Sequence, residues 1–81
     1  MGIEYKIQFS VPENYDPTSL LQNMPFPVAS KETLEIYNYS IEPDGFYFID
    51  HLVDKQVSSH ALRLLIDAAL SASVSIRIIE L

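Results

Sequence analysis

The stretch PDGFYFIDH, residues 43–51, sets four large apolar side chains in a row, Phe46, Tyr47, Phe48 and Ile49. A strand sends alternate side chains to opposite faces, so only one alternating pair can share a face. The residues ahead of this run carry turn chemistry. Pro43 presets φ, Asp44 accepts the bridge region, and Gly45 supplies a positive φ. The segment before the turn, TLEIYNYSI at residues 33–41, is rich in Ile, Tyr and Thr, which suit a pleated surface. A hairpin is expected, with its second strand running from Phe46 to Leu52.

Pro43-Asp44-Gly45 as a three-residue loop sets Glu42 opposite Phe46, Ile41 opposite Tyr47, Tyr39 opposite Ile49 and Tyr37 opposite His51. Directly opposed residues share a face. One face then holds Tyr37, Tyr39, Ile41, Tyr47, Ile49 and His51. The other holds Ile36, Asn38, Ser40, Glu42, Phe46, Phe48, Asp50 and Leu52. Burying Asn38, Ser40 or Asp50 unpaired would cost about 1–3 kcal/mol each. The tyrosine-isoleucine face is therefore expected to meet the helices. Phe46 and Phe48 are left on the helix-free face, beside Asn38, Asp50, Lys6, Gln8 and Arg77.

Outward from the hairpin, residues 3–11 alternate cleanly. Ile3, Tyr5, Ile7, Phe9 and Val11 lie on one side, and Glu4, Lys6, Gln8 and Ser10 on the other. In NYDPTSLLQNMP, Asp16 can cap and Pro17 suits a first helical position, which predicts a short helix over 17–23. PFPVASKET is read as a loop pinned to the core by Phe26 and Val28. The stretch DKQVSSHALRLLIDAALSAS predicts the main helix, capped by Ser58 or Ser59. Its core stripe is Leu62, Leu65, Ile66 and Ala69, flanked by Ala61 and Ala72, and its wet face is His60, Arg63, Asp67 and Ser71. Leu64 is expected near that wet face. VSIRIIEL predicts a last strand with Val74, Ile76 and Ile78 opposite Ser75 and Arg77.

The order β-α-β-β-α-β predicts an α+β fold, a ferredoxin-like sandwich with two helices on one face of an antiparallel sheet. The first and third strands would be central. Without the first helix, the alternative is a β-β-β-α-β sheet with one main helix. With 81 residues, one domain spanning 1–81 is expected, too small to hide a second apolar layer.

Five Lys and Arg against eleven Asp and Glu give a net charge of −6. Phosphate backbones are bound by Lys and Arg, so nucleic acid and anionic membranes are poor partners and a basic protein surface is a better one. Central-strand aromatics occur in RNA-recognition domains too, but Gly45–Asp50 lacks the basic residues of their motif. No cysteine is present, which removes thiol nucleophiles and thiolate metal sites. MGIEYKIQF contains no apolar secretory core, and a cytoplasmic setting is expected.

Asp50, His51 and Asp54 fall close together in sequence, but Asp50 and His51 point to opposite faces of a strand and no third ligand has metal-site spacing. The serines are accounted for by caps and strand polarity. No cofactor and no catalytic activity are expected. The functional expectation is a protein-interaction module acting through the helix-free face: Phe46, Phe48, Asn38, Asp50, Lys6 and Arg77. Its partner would be a second copy, as a homodimer, or a basic protein of the kind an inhibitor or immunity protein binds. A small-ligand sensor built on a ferredoxin-like dimer and an unrecognised enzyme are the alternatives.

Overall fold

The computed structural model describes residues 2–28 and 34–81. They form a small α+β domain in the order β1 (Ile3–Gln8), α1 (Thr18–Asn23), β2 (Tyr37–Glu42), β3 (Gly45–Asp50), α2 (Lys55–Ala72) and β4 (Arg77–Glu80). The four strands make one antiparallel sheet in the order β2-β3-β1-β4. The first and third strands are thus central, as the sequence suggests, and the first helix is present.

The hairpin has a two-residue loop, Pro43-Asp44. Glu42 pairs with Gly45, Ile41 with Phe46, Tyr39 with Phe48 and Tyr37 with Asp50. This is one residue away from the register expected for a three-residue loop, and a one-residue slip sends every side chain of a strand to the other face. The faces of β2 stand as expected and those of β3 reverse. Phe46 and Phe48 point at the helices and are 0% and 1% exposed. Tyr47 and Ile49 take the helix-free face instead.

The reason lies in β1, which the hairpin sequence does not contain. Gly45 enters the ladder opposite Gln8 with φ 140°. A Cβ there would lie 2.0 Å from the Ile7 carbonyl oxygen, so only glycine lets β1 approach. The chain beyond β1 then runs along the turn. Phe9 donates its N–H to the Asp44 carbonyl at 3.2 Å and Val11 to the Pro43 carbonyl at 3.1 Å. Gly45 is thereby claimed as a strand residue, and the loop loses one position.

The buried face joins Ile7, Tyr37, Phe46 and Phe48 of the sheet to Leu20 of α1 and Ala61, Leu65 and Ala69 of α2. Phe9 stands edge-on to Phe46 with centroids 4.9 Å apart, and Tyr37 stacks on Phe48 at 5.5 Å. Such contacts add about 0.5–1.5 kcal/mol each beyond area burial.

The start of α2 follows its cap, whereas α1 begins at Thr18 with Pro17 in the cap position and no side-chain cap bond, Asp16 accepting from the Thr18 N–H instead. Asp54, and not Ser58 or Ser59, caps α2, its carboxylate accepting the Val57 N–H at 3.2 Å. Ser58 is buried one turn in, donating to Asp50 Oδ1 at 2.9 Å. The α2 core stripe is Ser58, Ala61, Leu65 and Ala69, with Leu62 and Ile66 half-buried on one flank and Leu64 on the other. Leu64 is half-buried because α1 sits beside it. The expected wet face, His60, Arg63, Asp67 and Ser71, is exposed.

Phe26 and Val28 do not pin the loop after α1: they are 88% and 47% exposed. That role falls to Met24, which packs on the core, and to two carbonyls. Pro25 accepts from the Tyr37 hydroxyl and Pro27 from the Ile36 N–H. The rest of the loop expected at 25–33, and the first residue of the strand expected at 33–41, lie outside the described residues.

Phe48→Ala is expected to cost about 3–5 kcal/mol, because the ring is fully enclosed. Phe48→Asp is expected to abolish the fold. Chemical denaturation followed by circular dichroism measures both; a well-folded Phe48→Asp protein would mean that the ring is not in the core.

Candidate interaction surfaces

The helices cover one face of the sheet, so the other is a surface built by strand alternation. Register and parity place Glu4, Lys6 and Gln8 of β1, Asn38, Ser40 and Glu42 of β2, Tyr47 and Ile49 of β3, and Arg77 and Ile79 of β4 on it. Of the six residues expected to form a binding face, Lys6, Asn38 and Arg77 are on this side. Phe46 and Phe48 are in the core. Asp50 is on the helix side as well, where its carboxylate accepts from Ser58 Oγ and, at 2.8 Å, from the Leu52 N–H.

The open face is polar at its centre, and its polar groups answer one another. Lys6 Nζ donates to Glu42 Oε1 and, at 2.8 Å, to Asp44 Oδ1. The hydrogen bonds that Lys6 donates to Asp44 and Glu42 raise its ammonium above the usual lysine range. Lys6 and Ser40 hold the Glu42 carboxyl below the usual carboxylate range, and Lys6 does the same for Asp44. Tyr47 donates its hydroxyl to Glu4 Oε1 at 2.7 Å, and that bond raises the phenol's pKa. A sheet face of this kind can meet water directly.

Asp50, His51 and Asp54 are occupied structurally. Asp50 holds the turn into α2, where Leu52 adopts a left-handed φ of 63°. Asp54 caps the helix. His51 Nε2 donates to Asn38 Oδ1 at 2.6 Å, and Asn38 Nδ2 to Glu35 Oε2 at 2.8 Å. Among the described residues no group of three His, Asp or Glu side chains is placed to hold a metal ion.

One exposed apolar side chain stands out at the β4 edge. Ile78 points to the helix side, directly opposite the fully buried Ile7, yet it is 47% exposed. The cause is the position of α2. α2 packs mainly over β3 and β1, and neither helix packs comparably against β4. The α2 flank opposite Leu64 carries Leu62, Ile66 and the exposed Leu70 at helical spacing. β4 is also an open edge. Leu81 donates its N–H to the Glu4 carbonyl at 2.8 Å, which fixes the alternation. Residues 77, 79 and 81 face β1, and the N–H and C=O of Ile78 and Glu80 face outward. Sequence alternation shows which side of β4 Ile78 takes; its exposure depends on how far α2 reaches, which alternation does not encode.

Replacing Lys6 tests the polar network. The folded-state pKa values of Glu42 and Asp44 are depressed, so their contribution is complete above the ordinary carboxylate range and is lost as pH falls through the depressed values. The Lys6 value is raised, so its share is lost only as pH climbs past the lysine range. Lys6→Met is therefore expected to flatten the acid limb of stability against pH, measured by urea midpoints, and to converge with the parent at low pH. Parallel curves would show that the network contributes nothing to folding.

No helix among the described residues is long and apolar enough to cross a membrane. No protein-family model, curated protein or solved structure matches the chain.

Proposed function

We propose that the chain is a protein-interaction module whose first partner is a second copy of itself, joined edge to edge through β4. The observation that supports this most is Ile78, a core-facing position left half uncovered beside an unpaired strand edge. We also read the strand order β2-β3-β1-β4, with a helix after β1 and another after β3, as the ferredoxin-like split βαβ arrangement. In that arrangement β2 and β4 are the two edges through which the sheet can grow.

A twofold axis normal to the sheet makes the joined strands antiparallel and keeps each side chain on its own face. Opposed residues must then have equal parity. Setting Ile78 against its own copy satisfies this and pairs the outward N–H and C=O groups of both chains. Leu62, Ile66 and Leu70 of each copy then close over the two isoleucines. Covering the exposed halves of both Ile78 side chains is worth about 1.5–3 kcal/mol before association costs, and the added ladder hydrogen bonds fix the register. The homodimer expected from the sequence is retained, with its seam moved from the aromatic face to the edge.

Light scattering on the intact protein is expected to give a dimer that tightens as NaCl is added, because each copy carries −6 and salt screens the repulsion. Ile78→Asp is expected to weaken the dimer about a hundredfold or more while leaving the circular dichroism spectrum unchanged. A monomer at high protein concentration and high salt would overturn the proposal.

A further inference from the structure

The opposite edge of the sheet carries a different surface. Val11, Pro12, Tyr15 and Pro17, from the segment joining β1 to α1, face Ile41 and Pro43 of the hairpin across a groove of about 450 Å³. Tyr15 is fixed there by its ring, 6.1 Å from that of the buried Phe46. Ile41 is on the helix side of β2 and remains 36% exposed, because α1 stops short of it.

One wall of the groove is a strand edge. The two-residue hairpin makes Glu42 and Gly45 a hydrogen-bonded pair, so Asn38, Ser40 and Glu42 direct their backbone groups to β3. Tyr39 and Ile41 direct theirs outward. Among the described residues, no backbone or side-chain group bonds to them.

The rim is negative. Glu13 and Glu42 line the groove, and Asp16 and Asp44 stand beside it in sequence. Lys6 answers Glu42 and Asp44, so these four carboxylates exceed it by three charges.

We propose that this groove takes an extended, basic segment of a partner protein, which adds to the sheet as an outer strand along Tyr39–Glu42. The inference is independent of self-association, which uses the other edge. An added strand sends alternate side chains to the two faces of the sheet. Those on the helix side meet Ile41, Tyr15 and Val11, which suit an aliphatic group. Those on the open side meet Ser40 and Glu42, and the chain rim offers Glu13, which suit lysine or arginine. The chemistry therefore selects alternating aliphatic and basic residues. An acidic or uniformly polar strand would meet repulsion at the rim and leave the apolar floor uncovered.

The probe is a short capped peptide alternating lysine and valine, titrated into the ¹⁵N-labelled intact protein at low salt. Amide shifts are expected at Val11, Glu13, Asn14, Tyr15 and Tyr39–Glu42, with hydrogen exchange slowed at the Tyr39 and Ile41 amides. Affinity is expected to fall severalfold as salt is raised, and the glutamate-valine counterpart is expected not to bind. Ile41→Arg should remove binding. Glu13→Lys, at an exposed position, should weaken it severalfold and serves as a second variant should Ile41→Arg disturb the fold. Shifts scattered over all the carboxylates with no slowed exchange, or no binding at low salt, would overturn the proposal. So would protection at Ile78 and Glu80 in place of Tyr39 and Ile41. Loss of the β4 dimer alone would leave the Tyr39 and Ile41 result unchanged, so the two readings fail separately.

Discussion

The carbonyl oxygen of Ile7 occupies the space where a side chain at residue 45 would begin. That contact lets β1 lie against the hairpin, draws Gly45 into the ladder and reduces the turn to Pro43-Asp44. The register follows from it, and so do the faces. Phe46 and Phe48 enter the core with Tyr37 and Ile7, and Tyr47 and Ile49 go to the open side. A slip by one residue would exchange two buried phenylalanines for a tyrosine and an isoleucine and would carry Asp50 away from Ser58. The turn is small, but the inventory of both sheet surfaces depends on it.

The same geometry explains why the open face is polar and the apolar surface lies elsewhere. With the phenylalanines inward, the outer rungs bring Lys6 near Glu42 and Tyr47 near Glu4, and these groups satisfy one another. Uncovered apolar area then collects where the helices do not reach. One helix of six residues and one of 18 cannot roof four strands. The longer lies over β3 and β1, so the two edge strands each keep an exposed isoleucine, Ile78 and Ile41. Each stands beside outward-facing backbone groups, the combination through which sheets recruit further strands. The two edges differ in charge: the β2 edge is rimmed by carboxylates, whereas the β4 edge is bounded by Arg77 and Glu80.

Much of the element order was legible because it rests on local periodicity. Ile3, Tyr5 and Ile7 alternate with Glu4, Lys6 and Gln8, and a strand is the only regular element that separates them. The long helix was legible in the spacing of Leu62, Leu65, Ile66 and Ala69, although the stripe that is buried is rotated toward Ala61, Leu65 and Ala69. Its start was read one turn late, because Ser58 and Asp54 are both good caps and only the burial of Ser58 against Asp50 separates their roles. The hairpin register departs from the local expectation for a non-local reason. Gly45 suits a three-residue loop when the hairpin is considered alone, and the strand that excludes that loop lies 38 residues earlier in the chain. Half of the expected binding set failed with it: Phe46, Phe48 and Asp50 moved to the helix side while Lys6, Asn38 and Arg77 stayed. Ile78 and Ile41 carried no local signal of exposure, since coverage depends on helix length and placement.

The hairpin register is therefore the claim to test most directly. Residues 39 and 48 form a pair without mutual backbone hydrogen bonds, the geometry in which opposed α-protons come closest. A nuclear Overhauser spectrum in heavy water should show a strong Hα–Hα contact between Tyr39 and Phe48, and another between Ile41 and Phe46. A strong contact between Tyr39 and Ile49 in their place would contradict the account, returning Phe46 and Phe48 to the open face.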